Sequence, residues 1–106
     1  MTMLALASAA VLAAAAPVSA PGVDAGARLA AQHCASCHAV GPQGRSTNFA
    51  APPFRDIRLR YNALSLEREL GRISRQGHFE MRPTAIRADE ARDLAEYIES
   101  LAPPKP

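Results

Sequence analysis

Tryptophan is absent from the 106 residues, and two tyrosines and three phenylalanines are the whole aromatic complement. Lysine occurs once, at Lys105, and cysteine only twice. Charge of neither sign dominates: 12 Lys+Arg stand against 10 Asp+Glu, a formal net charge of +2. A balance so near neutrality excludes the basic footprint of a nucleic-acid binder. Eleven of the twelve basic residues are arginine, a bias that names no partner. The length allows one small domain, so a multidomain enzyme, a collagen-like chain and a polytopic membrane protein are all excluded.

Hydrophobic residues make up 48% of the chain, unevenly spread. Residues 1–20 hold sixteen of them and no charged residue, and fourteen of those further on are alanine. A small domain buries a smaller fraction of its surface than a large one. With so few large side chains, this one needs a disulfide, a metal, a bound cofactor or a partner subunit to complete it.

Residues 1–20 end in Pro17-Val18-Ser19-Ala20, with small residues at −3 and −1 relative to a cut after Ala20. That is the pattern of a cleaved export signal, although the positive n-region is missing. An uncleaved membrane anchor is the alternative, since a spanning helix needs about 20 apolar residues. Alanine makes this stretch only weakly hydrophobic, and Pro17 interrupts its end. The expectation is a signal over residues 1–20 and one domain over residues 21–106, exported to a bacterial periplasm.

In that domain, residues 21–23 read as a disordered lead-in. Asp24 is the expected N-cap of a helix over residues 25–33, with Leu29 and Ala30 on one face. Gly41, Pro42, Gly44 and Pro52-Pro53 make residues 34–53 an irregular loop, and long loops in compact domains are usually functional. Leu66, Leu70 and Ile73 recur at helical spacing over residues 64–74, with Gly77 as a stop, and residues 77–83 form a second loop. Residues 89–101 give the clearest helix, with Ala91, Leu94, Ala95, Ile98 and Leu101 as its apolar face. Asp89 and Glu90 suit the positive end of its dipole, and Pro103 stops it. No segment alternates like a strand, so the fold class is all-α.

Both cysteines fall in Cys34-Ala35-Ser36-Cys37-His38, a C-x-x-C-H, the attachment signature of c-type haem. Two thiols at this spacing can each add to one haem vinyl group, and the next residue supplies an imidazole to the iron. Export fits, because such attachment takes place outside the cytoplasm. A disulfide or thioredoxin-like redox pair is an alternative, but no βαβ pattern accompanies it. Zinc held by Cys34, Cys37 and His38 or His78 is another, without the second paired knuckle that zinc sites favour. Met81 is the only methionine after residue 20, in Gly77-His78-Phe79-Glu80-Met81-Arg82-Pro83. Methionine usually fills gaps in cores; in this loop its thioether is the expected second axial ligand opposite His38, a pairing that raises the iron's potential. His78 as that ligand, or an open position, remain the alternatives. His33 reads as a solvent-facing side chain.

On these residues the sequence resembles the class I cytochrome c family, over nearly all of residues 21–106. The family's opening G-x-x-L is matched by Gly26-Ala27-Arg28-Leu29, followed by the C-x-x-C-H. Its G-P-x-L segment is similar to Ala51-Pro52-Pro53-Phe54, with alanine for glycine, and its M-x-P element to Met81-Arg82-Pro83. Its closing helix resembles Asp93-Leu94-Ala95-Glu96-Tyr97-Ile98-Glu99-Ser100-Leu101. Residues 51–57 also resemble a group of small single-haem bacterial cytochromes. The resemblance implies a small cytochrome c fold, with N- and C-terminal helices crossing where Gly26 meets Tyr97 and loops wrapping one covalent haem. It further implies that the Pro52 carbonyl accepts a hydrogen bond from His38 Nδ1, as partners of metal-bound histidines do.

Haem would then replace the missing aromatics. Leu29, Val40, Phe54, Ile57, Tyr61, Leu70, Ile73, Leu94 and Ile98 are candidates for its walls. Arg55, Arg58 and Arg60 are candidates for its propionates, because a guanidinium fork suits a carboxylate. The expected function is outer-sphere transfer of single electrons between redox proteins, through weak and small docking surfaces. Such a carrier has no small-molecule substrate, is not an enzyme, and meets a membrane only through partner complexes or an uncleaved signal. Alternatives are a haem subunit of a periplasmic dehydrogenase or oxidase complex, and a ligand-sensing haem protein with a labile Met81.

Overall fold

The computed structural model describes residues 2–8 and 21–101. Residues 2–8 are exposed and without regular structure, so the expected signal and its cut after Ala20 fall largely outside what is described, as do the prolines after Leu101. Among the described residues no helix is long and apolar enough to cross a membrane.

Four helices follow in order: α1 Pro21–His33, α2 Phe54–Ile57, α3 Ala63–Gln76 and α4 Ala88–Ser100. The architecture is all-α, as expected. Among the described residues the only β pairing is one isolated antiparallel bridge, His78 with Met81.

Two boundaries at α1 differ from expectation. Residues 21–23 are helical rather than disordered, and Asp24 lies in the first turn rather than capping it. Proline is favoured at the first helical position, where its missing N–H leaves no bond unmade. Asp24 inside the turn still faces the positive end of the dipole. Tertiary packing holds this added turn, because Gly22 sits against Glu96 and Asp93 of α4.

α3 starts with a reciprocal cap: Asn62 Oδ1 accepts from the Ser65 N–H at 2.9 Å, and Ser65 Oγ accepts from the Asn62 N–H at 3.1 Å. It ends at Gly77, whose φ of 68° only glycine adopts without strain. α4 begins one residue before the expected start, with Glu90 Oε1 accepting from the Arg87 N–H at 3.0 Å.

The core sits where α4 is clasped between α1 and α3. It comprises Ala30, Phe54, Leu66, Leu94, Ala95, Ile98 and Leu101, with Leu29, Cys34, Val40, Ile57, Leu70, Ile86 and Tyr97 partly buried against it. Among the described residues, Leu94 and Ile98 are the largest fully buried side chains. α1 crosses α4 at Gly26, where an added Cβ would stand 2.6 Å from Tyr97 Cβ. That crossing fixes the direction in which the chain leaves α1, and so the position of the cysteines.

Candidate functional site

The site begins where α1 ends. Backbone bonds from Cys34 N and Ala35 N to the Ala30 carbonyl, and from His38 N to the Cys34 carbonyl, continue α1 as turns through the C-x-x-C-H. Cys34 is half-buried against the core, Cys37 is exposed, and the two thiols are free. Burial pushes the Cys34 thiol up to about 11. Thioether formation would remove that ionisable group.

The loop that follows is closed by its own hydrogen bonds. Asn48 N–H donates to the Cys37 carbonyl at 3.1 Å, Phe54 N–H to the Ala39 carbonyl at 2.9 Å, and Ala39 N–H to Ser46 Oγ at 3.0 Å. Those bonds bring Pro52 to His38: His38 Nδ1 and the Pro52 carbonyl oxygen are 2.7 Å apart. A carbonyl can only accept, so Nδ1 carries the proton and Nε2 of the neutral ring keeps its lone pair. The bond implied by the sequence resemblance is therefore present. Phe54, buried at the start of α2, flanks the same imidazole, with ring centres 5.3 Å apart and planes 51° apart.

Across from His38, within the expected loop of residues 77–83, stands a tight turn of residues 78–81. His78 and Met81 exchange both backbone hydrogen bonds, at 3.1 and 2.8 Å. Phe79 at its tip has φ 47° and an almost fully exposed ring. The His78 ring lies 6.2 Å from that of His38, with planes 14° apart. Burial lowers the His78 pKa, and the charges of His38 and Arg72 lower it further against a smaller opposing effect of Glu69. Neutral imidazole is the form that ligates metals. Ser74 of α3 anchors the segment after the turn: its hydroxyl donates to the Thr84 carbonyl at 2.7 Å and accepts from the Ile86 N–H at 3.0 Å.

The remaining candidates separate. Arg58 is committed elsewhere, with Nε donating to the Glu99 carbonyl of α4 at 2.9 Å, and Arg60 is exposed. Arg55 differs: among the described residues its Nη1, His78 Nδ1 and Glu99 Oε1 are the buried side-chain atoms without a hydrogen-bond partner. Tyr61 is 37% exposed, just ahead of α3. Leu94 and Ile98 belong to the helix core, while Leu29, Val40, Ile57 and Leu70 are only partly covered by it. His33 is half-buried rather than solvent-facing, because α1 packs along its length on α4.

Sequence reading missed two supports. Tyr97 donates its hydroxyl to the Val40 carbonyl at 2.6 Å, tying α4 to the loop behind the cysteines. Ser74 was the other; its one signal is a polar residue directly after the apolar Leu66, Leu70, Ile73 row.

The donor set suits a covalently held tetrapyrrole. Two free thiols stand three residues of chain apart, an imidazole is held by one nitrogen with the other available, and two orphaned buried nitrogens lie on Arg55 and His78. Among the described residues no group of three or more His, Cys, Asp or Glu side chains gathers to hold a bare metal ion, so the zinc alternative finds no support.

Comparison with known proteins gives the cytochrome c family. A family model described as cytochrome c matches residues 23–102, which covers α1 from its third residue, the other three helices, the C-x-x-C-H and the turn of residues 78–81. No curated protein and no solved structure matches the chain. The chain belongs to the cytochrome c family, whose cofactor is a covalently attached haem c and whose members work with redox protein partners.

Proposed function

We propose that the protein is a periplasmic carrier of single electrons, with haem c attached through Cys34 and Cys37 and with His38 and Met81 as axial ligands. The observation that carries this reading is the 2.7 Å bond between His38 Nδ1 and the Pro52 carbonyl, directly beside the two thiols. It fixes the tautomer and orientation of the imidazole and leaves Nε2 as the ligand atom. When bound, the haem supplies a one-electron Fe(III)/Fe(II) couple.

The chain's own residues do the rest. Phe54 and the partly buried Leu29, Val40, Ile57 and Leu70 offer an apolar surface, which keeps water from the cofactor. Arg55 offers a buried nitrogen to a propionate. Met81 supplies a thioether that favours the reduced iron. With both axial positions filled from the protein, no substrate is admitted, and the protein transforms none. Residues 1–20 act as an export signal, supported by the Val18-Ser19-Ala20 pattern and by the need to attach haem outside the cytoplasm.

The test is an optical spectrum of the purified exported protein, oxidised and reduced, extended into the near-infrared, with sequencing of its N-terminus. A c-type haem spectrum with a sulfur-to-iron band that vanishes in Met81→Ala, and a chain beginning at Pro21, is the expected result. A colourless protein would overturn the reading and leave Cys34 and Cys37 as a redox pair.

A further inference from the structure

The turn that carries Met81 also carries His78, and the two side chains leave it on the same side. Residues that exchange both backbone bonds across a two-residue turn, as His78 and Met81 do, lie directly opposite each other. They project to one face with Cβ atoms about 5 Å apart. A position that Met81 reaches is therefore within reach of His78.

The placement of His78 relative to His38 is independent of that argument. The two rings are 6.2 Å apart, centre to centre, and within 14° of parallel. Two imidazoles on opposite sides of one metal ion would have centres ~6.2 Å apart, from bonds of about 2.0 Å and ~1.1 Å between nitrogen and ring centre on each side. His38 has Nδ1 engaged by Pro52, and His78 has a buried nitrogen with no partner in the protein. Nor does packing at the tip hold the turn in one arrangement. Phe79 sits at φ 47°, unfavourable for a bulky residue, with its ring 96% exposed.

Resting on the proposed His38/Met81 reading, we propose that the chain carries two exchangeable sixth ligands, with His78 binding opposite His38 whenever the Met81 thioether leaves. The sulfur–iron bond breaks, a bond from an unprotonated imidazole nitrogen forms, and neither the iron's oxidation state nor any proton count changes. Two consequences follow. The iron stays closed to small ligands, which separates this chain from a ligand sensor. The reduction potential falls, since thioether ligation is what raises it.

The experiment compares holoprotein of wild type, His78→Ala, Met81→Ala, Met81→Leu and the Met81→Ala/His78→Ala double variant. Near-infrared and electron paramagnetic resonance spectra are read together with CO association to the reduced protein. Met81→Leu keeps an apolar side chain of similar reach in case the alanine variant fails to fold. Expected are a sulfur-to-iron band in wild type and His78→Ala, and low-spin iron with two nitrogen ligands in both single Met81 variants. If His78 fills the position about nine-tenths of the time, CO association in those variants is about tenfold slower than in the high-spin double variant. High-spin iron in both single Met81 variants, with CO association equal to that of the double variant, overturns the inference and leaves the His38/Met81 reading intact. A wild type already ligated by two nitrogens, converted by His78→Ala to sulfur ligation, upholds His78 as a ligand and overturns Met81 as the resting one.

Discussion

Gly26 of α1 and Asp93 of α4 approach so closely that a Cβ on Gly26 would overlap the Asp93 carbonyl oxygen, with Tyr97 Cβ only 2.6 Å away. The obstacle is backbone, so no rotamer change relieves it. Gly26→Ala gains about 1 kcal/mol of helix propensity but incurs overpacking of ~1–3 kcal/mol, and the rigid contact puts it at or beyond the upper end. A net loss of about 2 kcal/mol is expected, read as a drop of ~10 °C in the melting temperature of a domain this size. Gly22 is the control. Its added Cβ would meet the Glu96 and Asp93 side chains, which can swing aside. Gly22→Ala is therefore expected to be neutral or slightly stabilising.

That crossing shows what the sequence makes legible. α3 and α4 were readable because their apolar residues recur at 3.6 spacing and local signals, Gly77 and the Asp89-Glu90 pair, mark their ends. The C-x-x-C-H was readable because thiols are rare in so small a chain, whereas the bond from His38 to Pro52 was legible only through the family resemblance. α2 was not: one turn, Phe54–Ile57, is too short for any period, and it forms because Phe54 N–H is already held by the Ala39 carbonyl. The first turn of α1 depends on contacts with a helix some seventy residues away. The bond from Tyr97 to Val40 likewise has no local signature.

Tyr97→Phe tests that last bond. It leaves the half-buried Val40 carbonyl without its partner, which costs about 1–2 kcal/mol. The pH dependence has a definite sign. Burial raises the Tyr97 pKa in the folded protein. As pH climbs past the ordinary tyrosine value of about 10, the unfolded chain loses its proton first and stability falls, until the folded phenol also ionises. Denaturant titrations between neutral and strongly alkaline pH should show this decline in wild type and a smaller one in Tyr97→Phe.

Arg55 and Arg58, three residues apart, should behave oppositely. Arg58 serves α4 through the Glu99 carbonyl, so Arg58→Ala should lower thermal stability and leave the reduction potential close to that of wild type. Arg55 has a buried Nη1 with no protein partner, as a residue reserved for a propionate would. Removing a positive charge beside a bound haem would make adding an electron less favourable, by an amount on the order of 1 kcal/mol for a partly screened charge. For one electron that corresponds to ~40 mV. Potentiometric titration of Arg55→Gln should therefore show a potential lower by about that amount, with Arg58→Ala as the reference for purely structural damage.

Cys34→Ser/Cys37→Ser asks whether the chain can hold its fold without a covalent cofactor. Among the described residues only Leu94 and Ile98 are large and fully buried, and the rest of the core is alanine, Phe54, Leu66 and Leu101. Each fully buried large aliphatic side chain contributes about 1.5–3 kcal/mol, against a backbone entropy cost of ~1–2 kcal/mol for every ordered residue. Leu29, Val40, Ile57 and Leu70 are only partly covered by protein, and a bound haem would complete their burial. The doubly substituted chain, purified without haem, should show little helical circular dichroism and no cooperative thermal transition. Either single variant, still linked by one thioether, should keep its helices and melt below wild type. A cooperative, helical double variant would mean that the partly covered residues pack well enough alone, and that the cofactor is added to a finished fold.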